Sequence, residues 1–157
     1  MDLNIIAMGK LKKGFYLEAC SEYIKRLGAF ANVKVKEPEP VALPKEPSDA
    51  QIKQALEKEA QIIRGHISGY SIAMCVEGRQ LSSEQLASRL EELGNNGIST
   101  ISFIIGSSYG LSEALKAECK MKISMSAMTF PHELARVMLL EQVYRAFSII
   151  NNSKYHK

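Results

Sequence analysis

Residues 70–106, YSIAMCVEGRQLSSEQLASRLEELGNNGISTISFIIG, decide the fold. Residues 70–76 (YSIAMCV) are apolar without alternation, the pattern of a strand buried on both faces. Ser82 with Gln85 three residues on is a capping-box start, and Leu86, Leu90 and Leu93 then recur at helical spacing. Asn95-Asn96-Gly97 stops that helix, and residues 99–105 (STISFII) make a second buried strand ending at Gly106. A strand, a helix and a second strand buried on both faces form the repeating unit of a parallel sheet.

The same alternation extends in both directions. Residues 2–8 (DLNIIAM) are a short apolar run ending at Gly9. Residues 14–27 place Phe15, Ala19, Tyr23 and Leu27 on one helical face, with Glu18, Glu22, Lys25 and Arg26 outside. Residues 31–37 alternate as a half-exposed strand does. The stretch EPEPVALPKEPSD holds four of the five prolines and reads as a mobile surface loop. Ser48 and Gln51 then cap a helix that runs to about His66, with Ile52, Leu56 and Ile63 on its buried side. After Leu111 come a short helix, a brief strand over 121–124 and a long final helix. The order predicts an α/β fold: a mainly parallel sheet with helices on both faces, residues 1–157 forming one domain.

The 157 residues are 46% hydrophobic and 24% charged with a net charge of +3, which is ordinary globular composition and too mild for tight binding of bare nucleic acid. Met1-Asp2-Leu3 opens directly into a strand, so no signal peptide is expected. No apolar stretch approaches the roughly 20 residues of a membrane helix. Cys20, Cys75 and Cys119 are widely spaced with no CxxC, which points to a reduced, cytoplasmic chain without a metal site.

Ligands of open α/β sheets collect at the carboxyl ends of strands. Three such ends stand out: Glu77-Gly78, Gly106-Ser107-Ser108-Tyr109-Gly110, and the small, sulfur-rich run Ser124-Met125-Ser126-Ala127-Met128-Thr129-Phe130-Pro131-His132. The glycine segment is neither a Walker loop nor a GxGxxG. The third run suits main-chain wrapping of a ligand, and equally suits capping of the last helix, with Thr129 near its N-cap and Pro131 in its first turn. That helix is apolar on two sides: Leu139, Val143, Phe147 and Ile150 form one stripe, and Val137, Leu140 and Tyr144 another. Two apolar sides need two covering surfaces, one of them expected to be a partner subunit. An aromatic hydroxyl, an imidazole and an ammonium then end the chain at Tyr155-His156-Lys157, which predicts a tail held against something. Lys10, Lys12, Lys13, Arg79, Arg136, Arg145, Lys154 and Lys157 are either a phosphate-contacting surface or a solvated face.

MGKLK near the start, EYIKRLG at 22–28, LSSEQLA at 81–87, FIIGSSYGL at 103–111 and the block SMSAMTFPHELARVMLLEQVYRAFSIINNSKYHK at 124–157 resemble one family. It is the bacterial ribosomal large-subunit methyltransferase H family of the SPOUT, or α/β-knot, class. The resemblance implies a C-terminal trefoil knot, a homodimer, and S-adenosylmethionine as cofactor. It further implies methylation of N3 of a pseudouridine in helix 69 of large-subunit (23S) rRNA on assembled ribosomes, with no DNA or membrane partner. The cofactor is expected against Met74, Gly106, Met125, Ser126, Ala127, Met128, Thr129 and Phe130. His156 and Tyr155, supplied across the dimer, are expected to complete the pocket, His156 as base and Tyr155 by stacking, or to bind RNA only. Arg136 and His132 would orient the acceptor or contact phosphate. Three positions depart from the family pattern. Met74 replaces a leucine, Lys157 replaces a terminal arginine, and Ser107 replaces a second glycine, at about 1–2 kcal/mol if the site needs positive φ. A related enzyme acting on tRNA and a non-catalytic dimeric cofactor-binding module are the alternative functions.

Overall fold

The computed structural model describes residues 1–156. Five strands, β1 (Asp2–Ala7), β2 (Asn32–Lys36), β3 (Tyr70–Gln80), β4 (Thr100–Ile105) and β5 (Met121–Ser124), form one parallel sheet in the order β2-β1-β4-β3-β5. The helices are α1 (Gly14–Leu27), α2 (Asp49–Arg64), α3 (Ser83–Asn95), α4 (Glu113–Glu118) and α5 (His132–Ile150). The period of two along β1 shows why its run is mostly apolar on both faces. Leu3, Ile5 and Ala7 face the core under α1, α3 and α5, while Ile6 and Met8 face the smaller core under α2 and α4.

Both predicted capping boxes are present, Ser48 with Gln51 and Ser82 with Gln85, each closing two reciprocal bonds. β3 is longer than its apolar run suggests. It pairs with β4 only as far as Met74, then continues beside β5 alone, with a register shift between Met74 and Arg79. Glu77–Gln80 therefore lie on a one-sided edge and carry no buried-strand signature. A side chain at Gly78 would put a Cβ 2.6 Å from the carbonyl carbon of Ile123, so glycine is what lets the two strands stay paired past the shift.

Two sequence expectations need correction. Phe15 is 60% exposed, and the buried residues of α1 are Cys20 and Leu27. In α2 the buried stripe is Ala55, Glu59, Ala60 and Ile63, while Ile52 and Leu56 are half-buried. The two apolar sides of α5 are partly covered inside the chain, with Val137, Tyr144 and Ile150 left half-buried. It packs against both α1 and α3, burying Leu139, Leu140, Val143, Ala146 and Phe147. The stripe pattern alone therefore does not require a partner subunit.

Gly78→Ala should lower stability by about 1–3 kcal/mol through overpacking against β5. Gly97→Ala, with nothing within 4 Å of the new methyl and only its φ of +81° to strain it, should cost about 1 kcal/mol. Urea unfolding of both variants checks the order.

Candidate active site

The carboxyl ends of β3, β4 and β5 converge on one cavity of about 670 Å³, walled on its far side by α2 and α4. Its shape depends on the turn after β4. A Cβ on Gly106 would sit 2.2 Å from the carbonyl oxygen of Gly110, so the turn closes only because residue 106 has none. The Gly110 N–H donates to the Ser107 carbonyl at 2.9 Å, and Gly110 takes φ +84°.

Ser107 is not strained. Among the described residues the non-glycine with positive φ is Asn152, so the backbone penalty foreseen at position 107 does not arise. Instead the Ser107 hydroxyl donates to Glu59 at 2.8 Å, and the same carboxylate accepts the Val41 N–H at 3.0 Å. Glu59 is 3% exposed and joins the glycine turn to the proline loop. The sequence reading missed it. The four-residue spacing Ala55-Glu59-Ile63 was the available signal, obscured by the neighbouring Glu57, Lys58 and Gln61.

The loop after β5 braces itself: the Ser124 hydroxyl donates to the Ser126 carbonyl at 2.8 Å, and the Met128 N–H donates to Ser126 Oγ at 3.1 Å. Pro131, not Thr129, is the N-cap of α5, and no side chain caps it. Thr129 is thereby left on the cavity wall. Seven of the eight expected cofactor residues line the cavity, namely Met74, Gly106, Met125, Ser126, Met128, Thr129 and Phe130. Ala127 lies in the same loop but not on the wall, and His132 lines the cavity at its α5 side.

The remaining wall is charged. Asp49, Glu57, Glu77 and Glu113 face it, against Lys53 and Lys116. Lys116 is 8% exposed and donates to Glu77 and Glu113. Burial works against its charge, yet the two carboxylates hold its pKa above the ordinary lysine value. Burial and the Glu77 charge push the Cys75 thiol up, so it is not a poised nucleophile.

The other expected site residues lie elsewhere. Arg136 is 2% exposed, and its guanidinium bonds to Glu37 and, at 2.7 Å, to the Gly9 carbonyl. It ties α5 to the loops after β1 and β2, and it does not line the cavity. Within one chain the group is enclosed, with both terminal nitrogens paired and Nε buried without a partner, so the expected contact with acceptor or phosphate is not made from this position. Tyr155 folds back on α5. Its ring meets Tyr144 edge-on at 4.7 Å, lies 4.8 Å from the Arg145 guanidinium carbon, and its hydroxyl donates to Glu141 at 3.2 Å. The Nε2 of His156 bonds to Glu84 in the first turn of α3 at 2.9 Å, and its Nδ1 is covered and unpartnered. Within one chain both tail side chains are thus held away from that chain's own cavity. Lys157 is outside the described residues.

A family model described as "Predicted SPOUT methyltransferase" matches residues 1–156. The chain belongs to the SPOUT methyltransferase family. Within it, the chain is 42% identical over 159 aligned residues to a ribosomal RNA large subunit methyltransferase H from Leuconostoc mesenteroides, covering 100% of both. A protein of the same name from Bifidobacterium animalis is 43% identical with the same coverage. The SPOUT fold recurs in a methylase-family protein from Haemophilus influenzae, with a TM-score of 0.57 at 13% identity over 99% of this chain and 70% of that one. It recurs also in a methyltransferase from Legionella pneumophila solved with bound SAM, with a TM-score of 0.52 at 13% identity over 93% of this chain and 66% of that one. Among the described residues no helix is long and apolar enough to cross a membrane.

The docked tail has a titration signature. Burial, then the Tyr23 hydrogen bond and the Glu141 charge, push the Tyr155 phenol up to about 12. A folded-state pKa raised above the unfolded value stabilises docking below pH about 10, and that contribution is lost as pH rises through about 12. An ultraviolet difference titration of wild type against Tyr155→Phe should show one phenol ionising near 12. A phenol titrating near 10 would mean the tail is not docked this way.

Proposed function

We propose that this chain is an S-adenosylmethionine-dependent methyltransferase acting, as a homodimer in the cytoplasm, on N3 of a pseudouridine in helix 69 of large-subunit rRNA. The observation that carries the cofactor part is the gathering of three strand-end segments, far apart in sequence, around one cavity. Its size falls within the usual range for small-molecule sites of about 300–1,000 Å³. Met74, Met125 and Phe130 offer apolar surface for a purine, and the 124–130 loop offers main-chain groups for its edge. Four carboxylates against two ammonium groups on the wall suit a ligand that carries a sulfonium and an α-ammonium. The trefoil knot implied by the sequence resemblance belongs to this proposal, with the glycine turn and the 124–131 loop as its crossing segments.

When bound, the cofactor supplies an electrophilic methyl group. The chain has to position a nitrogen in line with that methyl, exclude water, and remove the N3 proton of a weakly acidic uracil-type base. His132 lines the cavity and would orient the acceptor. His156 of a partner subunit would take the proton, imidazole being the side chain suited to general-base work near neutral pH. Tyr155, a neutral phenol throughout the physiological range, would serve by contact with the base rather than as a phenolate. In one chain the His156 and Tyr155 side chains are bonded to Glu84 and Glu141, and presentation to a second copy would exchange those contacts for the base.

Methyl transfer from labelled cofactor to assembled ribosomes, free large-subunit rRNA and tRNA, side by side, tests this reading. Label on large subunits at N3 of a single pseudouridine is expected, and label on tRNA alone contradicts it. In the same assay His156→Ala should slow the single-turnover rate with saturating ribosomes by about 100-fold or more. An unchanged rate with weaker binding assigns the tail to RNA binding only.

A further inference from the structure

A second cavity, of about 570 Å³, lies beside the first, between the proline loop and the glycine turn. Ser107, Ser108, Tyr109 and His132 line both cavities, so the turn 107–110 is their shared wall. Tyr109 is the third residue of that turn and remains 49% exposed. The turn is rigid: the Ser107–Gly110 bridge closes it, and the Ser107 hydroxyl is anchored to buried Glu59 beneath. A large aromatic kept partly in water by a fixed turn is a preorganised stacking face.

The chemistry of the rim narrows what stacks there. Lys10 and Lys12 face the cavity together with Glu39 and Glu133, while Glu59 has both carboxylate oxygens engaged internally. Two ammonium groups against three carboxylates, counting internally bonded Glu59, give no net positive field for tracking a phosphate backbone. They do place donors beside acceptors. A uracil-type base presents that pattern in reverse, N–H groups next to carbonyl oxygens, and RNA is read most specifically through such edges on unstacked bases.

We propose that this second cavity takes an unstacked uracil-type base of the RNA substrate, with Tyr109 as its stacking face, next to the methyl-donor cavity. The assignment rests on the RNA methyl-transfer reading and adds to it a specificity-determining residue outside the expected cofactor and tail positions. The base stacks on the phenol ring, and the Lys10, Lys12, Glu39 and Glu133 side chains meet its edge.

The test is steady-state methylation of large ribosomal subunits by the full-length chain and by Tyr109→Ala and Tyr109→Phe, with cofactor affinity measured separately by calorimetry. Tyr109→Ala should raise KM for subunits about tenfold, as loss of one base stack does, and by more than it raises the Kd for cofactor, whose cavity Tyr109 also lines. Tyr109→Phe, which keeps the ring, should restore KM. A KM within twofold of wild type for Tyr109→Ala, or an equal loss of cofactor affinity, overturns the proposal. An independent arm crosslinks RNA carrying 4-thiouridine to the wild-type protein, whether or not methyl transfer is seen. Crosslinks in the 106–110 peptide support the stacking face, and crosslinks confined to other surfaces overturn it. Crosslinking there without any methylation would count against the enzymatic reading alone.

Discussion

The site depends on one close approach, that of Gly106 to Gly110. With a Cβ on residue 106 only 2.2 Å from the Gly110 carbonyl oxygen, no other side chain lets β4 turn back on itself so sharply. The turn fixes the wall of the first cavity, brings Ser107 onto Glu59, and leaves Tyr109 facing outward. Because β4 is the central strand of the sheet, flanked by β1 and β3, this wall is built on the most enclosed part of the fold. A site carried on such a strand end loses little precision to loop motion.

Two further ties hold the surrounding loops at that rigid centre. Glu59 binds the proline loop and the glycine turn with one carboxylate, and Arg136 binds α5 to the loops after β1 and β2. Both are buried groups whose removal would leave a partner unsatisfied, which costs more than the bond itself contributes. Lys116 does the same for the far wall through Glu77 and Glu113. The loops of this SPOUT methyltransferase are thus fixed by buried polar contacts rather than by regular hydrogen-bond ladders.

What was legible in the sequence follows from these physics. Strands such as 101–105 and 3–7, with both faces buried, declare themselves through apolar runs interrupted only by Ser102 and Asn4, and the capping boxes at Ser48 and Ser82 declare their helices. The strand ends at Glu77-Gly78, Gly106–Gly110 and Ser124–His132 were readable because ligand sites follow from parallel topology, whereas Met74 came only from the family resemblance. The extension of β3 over Glu77–Gln80 was not, since pairing on one side alone leaves no pattern. Arg136 looked like a surface cation because nothing local marks a charge that is paired with residues a hundred positions away. Glu59 was hidden for the same reason, and the fold-back of Tyr155 onto Tyr144 and Glu141 is tertiary contact that no periodicity encodes.

The central claim is that the cavity at the ends of β3, β4 and β5 holds S-adenosylmethionine. Calorimetric titration of the folded protein with that compound tests it most directly. The account predicts saturable binding that Gly106→Val, which obstructs the turn, abolishes in a chain that still folds. No heat from a folded wild-type protein, or binding that Gly106→Val leaves unchanged, would contradict it.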